Sequence, residues 1–290
     1  MKINYLYLTG LISLLSSCNQ DSPHEKRVDN KVETYTKASY VAAPVKLGTP
    51  IIAGADITRS MDRFWDYYTS NIKLFDDFIA SDARSRRISK GKFLALMTEG
   101  KYYPLVLHSA GAVPHYQLKK IPEQADQYIS LYMRQFSVEQ LKYYNMIGKP
   151  IPKFDFTAVD GARYTTENTK GKTVVFKCWF IGCKTCVAEM PALNEMVEEY
   201  RDNQDILFIS LAMDSKDDLK RFLRTTEFKY ETVPNQSDYM RDDLQVLNYP
   251  THFLIDQNGI LIKVLPDARE LRKALANQIV RVRTELVLNR

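Results

Sequence analysis

The chain has 290 residues, of which 45% are hydrophobic and 26% are charged. This composition is typical of a globular protein and excludes a disordered one, and the length suits one large or two ordinary domains. The formal net charge of +5 is spread along the chain, without a block of Lys and Arg that is interleaved with aromatic residues. The sequence therefore predicts no nucleic-acid partner.

The amino terminus, MKINYLYLTGLISLLSSC, joins Lys2 to a short apolar stretch that ends at Leu15. The stretch is too short for a membrane-spanning helix and is typical of a secretory signal segment. Leu15-Ser-Ser-Cys18 resembles a bacterial lipobox, in which the cysteine receives lipid and begins the mature protein. We therefore expect residues 1–18 to direct a lipoprotein to the cell envelope, anchored to a membrane through Cys18 and facing the periplasm. The alternatives are an ordinary signal peptide or an unprocessed apolar start.

Residues 19–36 are polar and charged, as expected of a flexible tether, and residues 37–147 predict a smaller α/β unit. Its first helix should cover residues 60–80, with Ser60 as the N-cap. The other expected elements are a β-hairpin over 92–107, which turns at Glu99-Gly100, and helices over 123–135 and 138–147. No motif in this unit carries recognisable chemistry, so its role stays open.

From Gly148 to residue 290 the pattern changes to alternating strands and helices, after Pro150 and Pro152 open an extended segment. The expected strands cover 153–157, 173–179, 206–212, 230–233, 251–255 and 260–264. The expected helices cover 183–200, with a kink at Pro191, then 216–225 and 239–247, and a last helix begins at a capping box of Asp267 and Glu270. This order predicts a thioredoxin-like α/β fold, with a central mixed sheet flanked by helices, after the smaller amino-terminal unit.

The run VVFKCWFIGCKTCVAEMP holds Cys183 and Cys186 in a C-x-x-C spacing, at the start of a helical pattern. The first turn of a helix favours anions, so the sulfur of Cys183 is expected to be stabilised as a thiolate. Cys186 lies about one turn further on and is close enough to form a bond with Cys183. With Cys18 set aside, Cys178 is the one cysteine left over, which favours redox chemistry over structural disulfides. The expected function is thiol–disulfide exchange.

The carboxy-terminal half of the chain, residues 148–290, resembles a TlpA-like thioredoxin-fold domain, which belongs to the exported branch of the thioredoxin superfamily. The matching residues are Trp179, the pair Cys183-Lys-Thr-Cys186, Glu189-Met-Pro191, Tyr249-Pro250-Thr251, Phe253-Leu-Ile-Asp256 and Asn258-Gly259. The resemblance implies an extracytoplasmic thiol–disulfide oxidoreductase without a cofactor. Its partners would be disulfide-containing or dithiol proteins, and it would reduce the disulfides with electrons from a membrane donor.

The resemblance also implies roles for individual residues. Cys183 would be the exposed nucleophile and Cys186 the buried resolving thiol. Pro250 would have a cis peptide bond beside the sulfurs, and the backbone of Tyr249 and Thr251 would form the substrate groove with it. Glu189 lies one turn beyond Cys186, where it would either relay protons to that thiol or pair with a lysine at the surface of the helix.

Three residues depart from the family pattern. Gly182 precedes the first cysteine, where thioredoxin-like proteins usually carry tryptophan. Lys177 occupies a position where thioredoxins have a buried acid and TlpA-like proteins an asparagine; near the sulfurs it would favour thiolates, unless it extends to the surface. Cys178 is an extra thiol, which we expect to be buried in the core.

Three other functions are compatible with parts of the pattern. A zinc site would need four ligands, with Cys178 and His252 added to the pair, but strand alternation disfavours Cys178, so we predict no metal. A thiol peroxidase of the peroxiredoxin type would need a threonine three residues before its reactive cysteine, where this chain has Phe180 or Val175. A non-enzymatic, ligand-binding lipoprotein on a thioredoxin scaffold would have no need of an intact C-x-x-C pair.

Overall fold

The computed structural model describes residues 48–52, 57–109 and 111–288, which belong to one compact unit. The predictions for the signal segment, Cys18 and the tether lie outside these residues. Within the described ranges, none of the helices combines the length and the apolar character needed to cross a bilayer.

The first part of the described chain is a four-stranded sheet that packs against helices. The helices are α1 (Met61–Asn71), α2 (Lys90–Met97) and α3 (Gln127–Met146). The strands are β1 (Ile79–Ser81), β2 (Arg87–Ile88), β3 (Tyr102–Leu107) and β4 (His115–Lys120), in the order β2-β1-β4-β3. Apolar side chains from both layers, among them Phe64, Phe93 and Tyr103, form its core.

The expected hairpin over residues 92–107 is wrong in its first half, because residues Lys90–Met97 form helix α2. Ser89 caps this helix by accepting a hydrogen bond from the backbone N–H of Lys92. Phe93 and Met97 lie four residues apart, on one helical face, and both are fully buried. Strand β3 therefore forms its hairpin with β4 instead.

Two other helix predictions in this part need correction. The helix that begins at the predicted N-cap Ser60 ends at Asn71, well before residue 80. The two helices expected over 123–135 and 138–147 are one continuous helix, α3. Ser137 does not interrupt it, because its hydroxyl donates a hydrogen bond to the carbonyl of Met133 within the helix.

The second part is built on a five-stranded sheet, in the order β11-β10-β7-β8-β9. Its strands are β7 (Thr173–Trp179), β8 (Ile206–Ala212), β9 (Glu231–Val233), β10 (Thr251–Ile255) and β11 (Leu261–Leu265). Strands β7, β8 and β9 are parallel, whereas β10 is antiparallel to β7 and β11 to β10. A short hairpin of β5 (Asp155–Thr157) and β6 (Arg163–Thr165) precedes it.

The helices of the second part are α4 (Lys184–Ala188), α5 (Met190–Glu199), α6 (Lys216–Phe222) and α7 (Ala268–Leu288). Strands 173–179, 206–212 and 251–255 are confirmed, and the kink expected at Pro191 is a break between α4 and α5 at Glu189. The helix expected over 239–247 is a five-residue π-helix, Tyr239–Asp243. The thioredoxin-like order of elements is thus confirmed.

Side chains of β7 alternate between two apolar cores, one on each face of the central sheet. Phe176 and Cys178 pack on one face, whereas Val175 and Trp179 pack on the other. Every residue of β7 is buried, because β8 and β10 pair with both of its edges. The residues that follow β7 therefore start from a fixed position.

Contacts link the first part of the described chain to the second sheet. Tyr143, near the end of α3, packs edge-on against Phe253 at 5.9 Å between ring centroids. Lys73 pairs with Glu270 at 2.9 Å, and Asp76 with Lys263 at 2.6 Å. The division into domains over 37–147 and 148–290 remains a prediction.

Replacing Phe176 by alanine should lower the free energy of unfolding by about 3–5 kcal/mol, because it leaves a cavity in the core. The side chain is fully buried, and its ring lies 5.2 Å from that of Phe154, centroid to centroid. Urea denaturation measures the change. Leu247→Ala, at a residue that is 55% exposed, is the control and should change stability by no more than about 0.5 kcal/mol. Equal effects of the two changes would contradict this description of the core.

Candidate active site

The two cysteines lie where the chain leaves β7 and begins α4. Cys183 is the N-cap of α4, and its Sγ accepts a hydrogen bond from the backbone N–H of Cys186 at 3.2 Å. The two sulfurs form a disulfide bond. The preceding loop is held by Asp214, whose carboxylate accepts a hydrogen bond from the backbone N–H of Ile181 at 2.8 Å. The sequence thus places both sulfurs at the first turn of a helix, as expected.

The two cysteines differ in their access to solvent. Cys183 is 7% exposed, whereas Cys186 is completely buried. Both pack in one apolar cluster with Trp179, Met190, Ala212 and Leu219. A partner can therefore approach the pair from the side of Cys183.

The segment Tyr249–Thr251 borders the same cluster. The peptide bond between Tyr249 and Pro250 is cis, as the resemblance implies. The Tyr249 side chain packs against the cluster that contains the cysteines, and its ring lies 5.6 Å from that of Phe180. Thr251 is buried, and its hydroxyl donates a hydrogen bond to the carbonyl of Asn248 at 2.7 Å. Through Tyr249, this segment therefore lies against the cluster that contains the disulfide.

A buried group of charged and polar side chains, which we call the Glu189 cluster, lies next to α4. It consists of Lys177, Glu189 and His252. The Lys177 ammonium forms an ion pair with Glu189 Oε1 and also donates to the carbonyl of Cys186 at 3.0 Å. His252 Nε2 lies 3.0 Å from Glu189 Oε1, and the backbone N–H of Ala268 donates to Oε2 at 3.0 Å. The Glu189 carboxylate thus joins β7, β10 and the start of α7 to the break between α4 and α5.

Burial and mutual attraction act in opposite directions on the pKa values of this cluster. Burial would raise the pKa of Glu189, but the hydrogen bond from His252 and the charge of Lys177 outweigh it, so the pKa lies below its ordinary value. Burial lowers the pKa of Lys177, against the opposing attraction of Glu189. Burial also lowers the pKa of His252. The contact between Lys177 and Glu189 therefore favours the ionised form of each, whereas burial favours the neutral imidazole of His252.

Cys178 lies on the other face of the sheet from the disulfide and is a free, fully buried thiol. Burial raises its pKa well above the ordinary value for cysteine. Within the described residues, no group of three or more His, Cys, Asp or Glu side chains is arranged to hold a metal ion. The core position expected for Cys178 is confirmed.

The structure settles two alternatives that the sequence left open. Lys177 does not extend to the surface, because its side chain is completely buried. Glu189 pairs with this buried lysine and not with a lysine on an exposed helical face. The contact of His252 with Glu189 was missed, because their separation of 63 residues hides it in the sequence. The available signal was a lysine within the apolar run TVVFKCW, since a lysine is almost never fully buried without a partner.

Comparisons with known proteins agree with this geometry. Residues 147–264 match the model of the AhpC/TSA family. The chain is 31% identical to the thiol-disulfide oxidoreductase ResA of Bacillus cereus over 135 residues, which cover 46% of this chain and 76% of ResA. It is 26% identical to the thioredoxin-like protein YneN of Bacillus subtilis, over 39% of this chain and 68% of YneN. Among solved structures, a putative thiol:disulfide interchange protein DsbE from Chlorobium tepidum has a TM-score of 0.41 at 23% identity, covering 46% of this chain and 94% of that one.

The fold and the disulfide at the start of α4 define a thioredoxin-fold protein with a redox-active cysteine pair. By its similarity to ResA, the chain belongs to the family of thiol–disulfide oxidoreductases. It is therefore an enzyme of disulfide exchange, and the peroxidase alternative is not favoured.

In the reduced, folded protein, iodoacetamide should modify Cys183 first and Cys178 only after unfolding. Cys183 lies at a helix start with 7% exposure, whereas Cys178 is completely buried with a raised pKa, and alkylation requires an accessible thiolate. Peptide mass spectrometry after timed alkylation, with and without urea, measures both rates. Faster modification of Cys178 or Cys186 than of Cys183 in the native protein would contradict the prediction.

Proposed function

We propose that the chain is a membrane-anchored lipoprotein of the cell envelope that reduces disulfides in partner proteins through Cys183 and Cys186. One observation supports this most directly: the two sulfurs form a bond at the first turn of α4, where Cys183 retains 7% exposure and Cys186 has none. The likeness to ResA gives the type of chemistry. The periplasmic location and the lipid anchor are supported by the amino-terminal sequence alone.

In the proposed reaction, the reduced protein attacks a disulfide of its partner. The Cys183 thiolate forms a bond to one partner sulfur and displaces the other as a thiolate, which takes up a proton. The Cys186 thiol then loses its proton and attacks Cys183 in the mixed disulfide. The second partner sulfur leaves as a thiol, and the Cys183–Cys186 disulfide forms. A dithiol donor, supplied with electrons through the membrane, then returns the enzyme to the reduced state.

The segment Tyr249–Thr251 is proposed as the wall of the groove that binds the partner. Its support is the contact of Tyr249 with the apolar cluster around the cysteines and with Phe180. An extended strand of the partner would lie along this segment, with its cysteine over Cys183. Such backbone pairing requires little sequence specificity from the partner.

Glu189 is proposed to assist proton transfer at Cys186. Its carboxylate reaches Cys186 through Lys177, whose ammonium contacts both Glu189 and the Cys186 carbonyl. Because Glu189 already accepts bonds from Lys177, His252 and Ala268, it would exchange protons only when one of these contacts opens.

The Cys186→Ser variant should accumulate a mixed disulfide with the physiological partner, because no second thiol is present to release it. Purification of the variant from the native host, followed by mass spectrometry of the reductant-released protein, identifies the partner. In an insulin reduction assay, Cys183→Ser should abolish turnover, and the control Cys178→Ala should retain it. Full activity of Cys183→Ser would contradict the proposed role of Cys183.

Mass spectrometry of the mature protein from the native host should find a lipid-modified amino terminus at Cys18. The motivation is the run Leu15-Ser-Ser-Cys18 after an apolar stretch. In cell fractionation, Cys18→Ala should release the protein from the membrane fraction. An unmodified Cys18, or cleavage at another residue, would remove the anchor from the proposal and leave the redox function intact.

A further inference from the structure

The Glu189 cluster contacts helix α4, which contains Cys186, through Lys177. The side chains of Lys177 and His252 are completely buried, and that of Glu189 is 12% exposed. Lys177 donates to the Cys186 carbonyl at 3.0 Å, so its ammonium lies against the backbone of the resolving cysteine. In such a poorly solvated place, a change of charge acts on the neighbouring sulfurs more strongly than it would in water.

The charges of the cluster cancel. Glu189 accepts hydrogen bonds from an ammonium, an imidazole and a backbone N–H, which favour its ionised form. Since a carboxylate can only accept, His252 Nε2 carries a hydrogen in this contact. His252 Nδ1 is buried and has no hydrogen-bond partner among the described residues, as in a neutral imidazole. Lys177 therefore provides the positive charge that balances Glu189, and its loss would leave a net negative charge beside the cysteines.

We propose that Lys177 is a positioning residue for disulfide exchange: its ammonium cancels the charge of Glu189 at the Cys183–Cys186 pair, so that a thiolate can form there. The inference rests on the proposed roles of the two cysteines. Reduction adds two electrons and two protons to the disulfide, and exchange begins when Cys183 loses one of these protons. An uncompensated carboxylate beside the pair would oppose this loss by repulsion between like charges.

Other titratable groups face the cluster from the elements packed around it. Tyr230 precedes β9 and interacts electrostatically with Glu189, and its buried hydroxyl has no hydrogen-bond partner among the described residues. Asp267, before α7, acts on His252. Cys178 is the neighbour of Lys177 on β7, although its side chain packs on the opposite face of the sheet. None of these groups can take the place of Lys177, whose ammonium contacts both the Glu189 carboxylate and the Cys186 carbonyl.

The test measures the pKa of Cys183 in the reduced, full-length mature protein, from alkylation rates between pH 4 and pH 10. Four proteins are compared with the wild type: Lys177→Met, Glu189→Gln, the double variant with both changes, and Lys90→Met. The last is a matched control in the first part of the described chain, because Lys90 is a partly buried lysine whose ammonium lies over the ring of Phe78, as that of Lys177 lies over the ring of Phe228. Circular dichroism and thermal melting report whether each variant folds.

Lys177→Met should raise the pKa of Cys183 by about one unit, which lowers the thiolate fraction at pH 6 by about tenfold. Glu189→Gln should shift the pKa in the opposite direction. The double variant removes both charges and should return the pKa close to the wild-type value, even if Lys177→Met alone is too unstable to measure. Lys90→Met should leave it unchanged.

The proposal would be overturned by an unchanged Cys183 pKa in Lys177→Met, or by a double variant whose Cys183 pKa stays as far from the wild type as that of the folded Lys177→Met protein. A rise in both single variants would also overturn it, since it would indicate a role in packing without a role in charge balance. Failure of the proposed function looks different. In that case the fast-reacting thiol of the wild type would not be Cys183, or Cys183→Ser would still reduce insulin.

Discussion

Complete burial of β7 is the constraint on which the active site depends. The strand is paired along both edges and covered on both faces, so each of its side chains has a fixed place. Its alternation sends Cys178 into one core and Lys177 and Trp179 into the space around the disulfide. The chain then turns directly into α4, which places Cys183 at a helix start. A rigid strand thus positions the proposed nucleophile and its surroundings together.

A buried ion pair is an expensive way to connect elements, because both charges lose their hydration. In this protein the cost is offset by full satisfaction of the carboxylate, which has three donors from three elements. Breaking such a pair by removal of one partner typically costs about 3–5 kcal/mol, whereas replacing both partners is often neutral. Because of this asymmetry, we expect the fold to tolerate the replacement of Lys177 and Glu189 together better than the replacement of either one alone.

The smaller sheet is connected to the redox sheet by a few specific contacts. The ion pairs of Lys73 and Asp76 reach α7 and β11, on the edge of the redox sheet formed by β11. Tyr143 instead enters the core beneath β10, where Phe253 is its neighbour. The first part of the described chain therefore supports the side of the sheet that carries His252 and the Tyr249–Thr251 segment. Its contacts reach the elements around the site without supplying a residue to the cysteine pair.

The sequence by itself determined most elements of the redox half, because β-branched runs and helical periodicity are local signals. It also located the disulfide, since two thiols three residues apart at a helix start meet without help from the rest of the chain. Local signals were weaker in the first half, where the run KFLALM suits a strand as well as a helix and only packing against the first core decides between them.

The surroundings of the cysteines were decided by the tertiary structure. Lys177, Glu189 and His252 come from β7, a helix junction and β10, and no periodic pattern connects residues so far apart in the chain. Whether Glu189 pairs at the surface or in the core depends on which elements cover it. The sequence therefore determined which two sulfurs form the disulfide, and the packing of β7 against β10 and α7 determined the charges that surround them.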